Sequence, residues 1–126
     1  EGVHELLDEL SKRNIRLAVV SNKVHDYVVK LITTRFPLTD FDLIYGEDDI
    51  RKRKPDPQGL LEACVKMGLQ PDEVLMIGDS EADLLSAQAI GMGMLAVSWG
   101  FNSVEKLTQA GCTRFVYHPQ EVLEAL

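Results

Sequence analysis

The sequence predicts an α/β fold: an open, doubly wound parallel sheet with helices on both faces. Three observations predict it. Apolar strands and amphipathic helices alternate along the whole chain, the pattern that builds parallel sheets. Stretches such as "VLMI" (74–77) are apolar on both faces, as strands covered from each side are. Polar residues gather at the strand ends, where sheets of this kind bind their ligands.

Each element has its own local reason. Val3, Leu6, Leu7 and Leu10 repeat with helical period, and Asn14 can end that helix. "IRLAVVSN" is a short apolar strand stopping at polar residues, and Val24 to Ile32 again suit a helix. "FDLIYGED" reads as a second strand, closed by Gly46. Asp56 as N-cap and Pro57 at the first helical position open the next helix. Its buried face is Leu60, Leu61, Cys64 and Met67, and Gly68 ends it. "EVLMIGD" is a third strand, followed by a helix over 80–91. "GMLAVSWG" is a fourth strand with a helix over 103–110, and "TRFVY" a weak fifth with a closing helix over 119–126. No internal repeat, linker or low-complexity stretch interrupts the series.

The 126 residues suit one domain with a real core, and 45% apolar with 26% charged content is ordinary for a globular protein. The net charge of -7 argues against nucleic-acid binding, which leaves a basic footprint. It leaves room for a small anion held by a local basic site. No apolar run reaches the roughly 18 residues of a membrane helix. We therefore expect no membrane partner, no secretory leader and a cytoplasmic location. Cys64 and Cys112 show no ligand spacing and are expected to be reduced thiols.

Four strand ends invite chemistry. Ser21 and Asn22 follow "LAVV"; they suit either a helix cap or a phosphate cradle built from a hydroxyl and helix N-terminal amides. "RKRKPDP" (51–57) is a basic run in an acidic chain. It fits a solvated loop, or a rigid loop in which Pro55 and the Asp56–Pro57 helix start hold Lys54 as a point charge for phosphate. In "GDSEAD" (78–83), Ser80 and Asp83 form the pattern of a capping box. That leaves Asp79, a carboxylate at the tip of an apolar strand, as a candidate Mg2+ ligand, with Asp83 either assisting it or only capping. "SWGFNS" (98–103) offers Trp99 and Phe101 for packing or a pocket wall.

Other patterns are decoys. Gly91-Met92-Gly93 leaves a helix and enters a strand, the reverse of a dinucleotide fingerprint. His4, His25 and His118 have no mutual metal spacing. No GxSxG or Walker loop is present.

In order and at successive strand ends, "VVSNK", "KPDP" and "GDSEAD" resemble the second, third and fourth motifs of the haloacid dehalogenase superfamily, closest to its phosphoglycolate phosphatase-like branch. The resemblance covers almost the whole chain. It implies a Rossmann-like sheet and Mg2+-dependent phosphate monoester hydrolysis through an aspartyl-phosphate, acting on a small phosphorylated metabolite. Carried over, Ser21 and the Asn22 backbone would hold phosphoryl oxygens, Lys54 would neutralise phosphate and nucleophile, and Asp79 would bind Mg2+ with help from Asp83. Within the same resemblance, a dehalogenase and a phosphosugar mutase are the rival activities; a silent α/β binding or regulatory domain is the rival of another class.

One part of the pattern has no match. The family's first motif is a buried strand ending Asp-x-Asp, which carries the nucleophile and the general acid/base. Asp40-Phe41-Asp42 has the spacing but follows "TTRFPLT", and Asp42 stands at the beginning of its strand. The chain also opens "EGVHELL", without methionine and already inside a helical pattern. We therefore expect residues 1–126 to be the later part of such a core domain, without first motif and cap, and inactive alone.

Overall fold

A computed structural model describes residues 2–47, 54, 56–99 and 102–126. Its elements run α1 (Val3–Lys12), β1 (Ala18–Val24), α2 (His25–Arg35), β2 (Leu43–Glu47), α3 (Gln58–Met67) and a 3-10 turn (Pro71–Glu73). They continue with β3 (Leu75–Gly78), α4 (Glu81–Ala89), β4 (Gly93–Val97), α5 (Val104–Gln109), β5 (Phe115–Val116) and α6 (Glu121–Glu124).

Local chemistry accounts for most boundaries. Asn14, with φ 59, takes the left-handed conformation that turns the chain after α1, a place where Asn is tolerated. Gly68, with φ 70, closes α3 as a helix-ending glycine should. Ser80 opens α4: its hydroxyl accepts from the Asp83 N–H, and the Asp83 carboxylate accepts from the Ser80 N–H. The Ser103 hydroxyl does the same service for α5, accepting from the Lys106 N–H at 3.1 Å.

Two starts differ from expectation. Ser21 and Asn22 do not stand at the mouth of α2; β1 runs past them to Val24, and α2 has no side-chain cap. The cause is tertiary. The register with β2 shifts between Val20 and Val24, so the chain stays extended while Asn22 reaches across to another loop. α3 starts one residue later than expected, so Asp56 precedes the cap position. The Asp56 Oδ1 accepts from the Gln58 N–H at 2.9 Å, and Pro57 occupies the N-cap.

All strand pairs are parallel, but the sheet is in two pieces among the described residues. β1 pairs with β2, with Ala18 opposite Leu43. β3 pairs with β4 and β4 with β5, with Leu75 opposite Gly93 and Ala96 opposite Phe115. The parallel sheet of the sequence reading is thus interrupted between β1 and β3, where the resemblance puts the missing first-motif strand. Ile77 in β3 is 41% exposed, although its strand reads as buried on both faces.

Helices cover both faces, and β4 shows it best. Met94 and Ala96 pack with Leu60 and Cys64 of α3, Leu84 and Ala87 of α4, and Leu107 of α5. Leu95 turns the other way, toward Val122 of α6 and Leu6 of α1. This alternation is the two-residue period of a strand between two apolar layers. Val20 of β1 and Met76 of β3 pack on the same first cluster, which draws the two sheet pieces together. Cys64 and Cys112 are both buried free thiols, as expected, and burial pushes the Cys64 thiol up.

Candidate functional site

β1 and the first turn of α4, the helix that follows β3, meet at one side chain. Lys54 donates from Nζ to the Val20 carbonyl of β1 at 3.0 Å and to Asp83 Oδ1 of α4 at 2.5 Å. The two charged side chains are only 10% and 7% exposed. Asn22 grips the backbone of Lys54 from the other side. Its Oδ1 accepts from the Lys54 N–H at 2.6 Å, and its Nδ2 donates to the Lys54 carbonyl at 3.1 Å. A lysine ordinarily has a long, mobile stem; here both its ends are held.

Asp83 is engaged on both oxygens. Oδ1 takes Lys54, while Oδ2 accepts from the Asp79 N–H at 3.0 Å, the Ser80 N–H at 3.2 Å and the Ser80 hydroxyl at 3.0 Å. Burial pushes the Asp83 carboxyl up, but the Lys54 charge and the hydrogen bonds from Lys54, Asp79 and Ser80 outweigh it and hold the carboxyl below the usual range. Gly78 makes the room. A Cβ there would lie 2.7 Å from both Cβ and Oδ2 of Asp83.

Asp79 stands directly after β3, with its N–H on Asp83 and its carbonyl accepting from the Asn102 N–H at 2.9 Å. The Asn102 side chain, 8% exposed, accepts the Glu81 N–H at 2.8 Å through Oδ1. The sequence reading passed over Asn102. The only signal was a polar residue placed just before the Ser103 cap in an otherwise apolar and aromatic stretch.

Of the residues singled out in the sequence, Asn22 and Asp83 each contact Lys54, and Asp79 is joined to Asp83 through its backbone. Ser21 precedes Asn22 in the same strand, and its hydroxyl accepts from the Lys23 N–H at 3.1 Å. Arg51, Lys52, Arg53, Pro55 and Phe101 lie outside the described residues; Trp99 is about half exposed. Asp42 belongs to the far end of β1 and β2. Its Oδ2 accepts from the Leu17 N–H at 3.2 Å and lies 3.4 Å from the Arg16 guanidinium, a structural use.

Among the described residues no group of three or more His, Cys, Asp or Glu forms a ready-made cation cage. The donors at the strand ends nevertheless fit Mg2+ by their chemistry. They are hard carboxylate oxygens, and Mg2+ takes one or two of these with water and substrate oxygens. Asp83 is turned inward to Lys54 and the turn, and Asp79 stands beside it at the end of β3.

The sequence profile of the haloacid dehalogenase-like hydrolases matches residues 1–97, and the chain belongs to that family. It is 35% identical over 115 residues to the phosphoglycolate phosphatase of Nitrosospira multiformis, covering 91% of this chain and 51% of that protein. It is 29% identical to the pyrophosphatase PpaX of Bacillus velezensis, covering 100% and 55%. A solved structure from Lactobacillus delbrueckii subsp. bulgaricus, provisionally assigned as a phosphoglycolate phosphatase, matches with a TM-score of 0.93 and 37% identity, covering 98% and 52%. The chain spans about half the length of the curated relatives it matches. No helix among the described residues is long and apolar enough to cross a membrane.

Proposed function

We propose that this chain carries the phosphate- and metal-binding part of a Mg2+-dependent phosphate monoester hydrolase, acting on a small phosphorylated metabolite in the cytoplasm. The observation that supports it most is the Lys54 ammonium, nine-tenths buried and held between β1 and Asp83 at the joined strand ends. An ammonium has three donors. Two serve Val20 and Asp83, and the third is suited to a phosphoryl oxygen. Ser21 and the Asn22 backbone would take the other oxygens, and Asp79 would hold Mg2+. Bound Mg2+ would neutralise charge that develops on the phosphoryl group. Fixed positive charge at a pre-organised site is what phosphoryl transfer chiefly requires. The nucleophile and the acid/base would come from a first motif outside these 126 residues, so the chain alone would be inactive.

The test uses the full-length protein. Asp79→Ala should abolish Mg2+-dependent hydrolysis of phosphate monoesters while the circular dichroism spectrum is retained. Undiminished turnover across a Mg2+ titration overturns the assignment.

A further inference from the structure

We infer that Asn102 is a positioning residue for the metal-binding carboxylate: it clamps the turn that carries Asp79 from the side opposite Asp83. The inference rests on the role proposed above for Asp79.

The turn from Asp79 to Glu81 joins β3 to α4. The first amides of such a helix start have no partners within the helix. Here two side chains divide them. Asp83 Oδ2 accepts from the Asp79 and Ser80 N–H groups, and Asn102 Oδ1 accepts from the Glu81 N–H at 2.8 Å. The Asn102 N–H then returns to the Asp79 carbonyl at 2.9 Å. The peptide groups on both sides of the Asp79 Cα are thus held, one from α4 and one from the connection between β4 and α5. With its backbone fixed on both sides, the Asp79 Cα–Cβ bond has one direction.

A mere helix cap would need only the Oδ1 contact to Glu81. The second bond is donated by the Asn102 backbone N–H to the carbonyl of the proposed metal ligand, so one residue holds the turn through both its side chain and its main chain. Asn102 is also one of three buried polar or charged residues among the described ones, and buried polar groups are held by hydrogen bonds. It touches neither metal nor substrate in this account; it acts through Asp79.

The experiment is Mn2+ binding by electron paramagnetic resonance, with Mn2+ as an oxygen-seeking stand-in for Mg2+. The full-length wild type is compared with Asn102→Ala, Asn102→Ser, Asn102→Asp and Asp79→Asn. Asn102→Ala should weaken Mn2+ binding about tenfold or more, the usual cost of losing a partner that orients a ligand. Asn102→Ser, whose hydroxyl is too short to reach the Glu81 N–H, should weaken it similarly. Asn102→Asp keeps the acceptor oxygen and should return affinity to within about threefold of wild type. Amide exchange at Glu81 should accelerate in the Ala variant and recover in the Asp variant. If Asp79→Asn abolishes binding but both short variants bind Mn2+ as wild type, the clamp is only structural and the inference fails. If Asp79→Asn itself binds as wild type, the underlying assignment of Asp79 fails instead. Should the Ala variant not fold, the Ser and Asp pair decides by the same criterion.

Discussion

The Lys54 ammonium and the Asp83 carboxylate lie 2.5 Å apart at the seam between the two sheet pieces, 29 residues apart in sequence. Both are almost fully covered, so neither can be left without the other cheaply. Removing one partner of a buried ion pair strands a charge and costs about 3–5 kcal/mol. Asp83→Ala and Lys54→Met should each lower the unfolding free energy by an amount in that range. A double-mutant cycle by urea unfolding should give the pair a coupling above about 1 kcal/mol. Single losses under about 1 kcal/mol, typical of surface pairs, would contradict the burial seen here.

The same pair sets a pH dependence. The Asp83 carboxyl sits below its usual range in the folded chain. The unfolded carboxyl titrates near about 3.9. Its contribution is therefore fully present above that value. Below it the unfolded state takes up a proton that the folded state refuses, and the contribution fades as pH falls through the lower folded value. Wild type should lose stability relative to Asp83→Asn as pH falls below about 4, so the gap between their urea midpoints should narrow on acidification over that window. A gap that stays constant over that window would remove Asp83 as the source.

Gly78 and Gly93 make a controlled comparison. At Gly78 a methyl group would lie 2.7 Å from the Asp83 carboxylate, while at Gly93 it would meet only Leu75 Cδ1 at 3.6 Å. Gly78→Ala should destabilise by about 1–3 kcal/mol, the usual cost of overpacking, and should weaken the Lys54 pairing. Gly93→Ala should be near neutral. Thermal melts of the two variants check this, and equal losses would show that the Asp83 geometry is not what requires Gly78.

The seam itself makes a further prediction. Among the described residues β1 pairs only with β2, and β3 only with β4, so each keeps one unpaired edge. Such edges recruit strands from other chains. The 126-residue chain made alone should associate at micromolar concentration and unfold with low cooperativity. Adding a segment with an apolar strand ending Asp-x-Asp should restore a cooperative transition and Mg2+-dependent phosphatase activity. Sedimentation and urea unfolding, with and without the segment, read it out. A stable, cooperatively unfolding monomer without help would overturn it.

What the sequence determined by itself is what neighbouring residues settle among themselves. Helical and strand periods place all the elements in order, because an apolar stripe is a property of a few consecutive turns. The Ser80–Asp83 capping box is legible for the same reason, since its partners are three residues apart. Gly68 announces the end of α3 because the left-handed turn there suits glycine. The tertiary structure alone decided the rest. Ser80 and Asp83 read as a cap, yet the second oxygen of Asp83 belongs to Lys54, from another loop. Asn22 reads as a candidate helix cap, yet it binds the Lys54 backbone 32 residues away. Asn102 carried almost no signal, because its partners at 79 and 81 come from a different strand end. The interruption between β1 and β3 falls where the resemblance puts the missing first-motif strand; no local pattern in either strand shows it, since an apolar strand reads the same whether or not its edge is paired. In each case the deciding interaction satisfies a polar group buried by packing distant segments, and no local pattern in the chain encodes which segment will arrive.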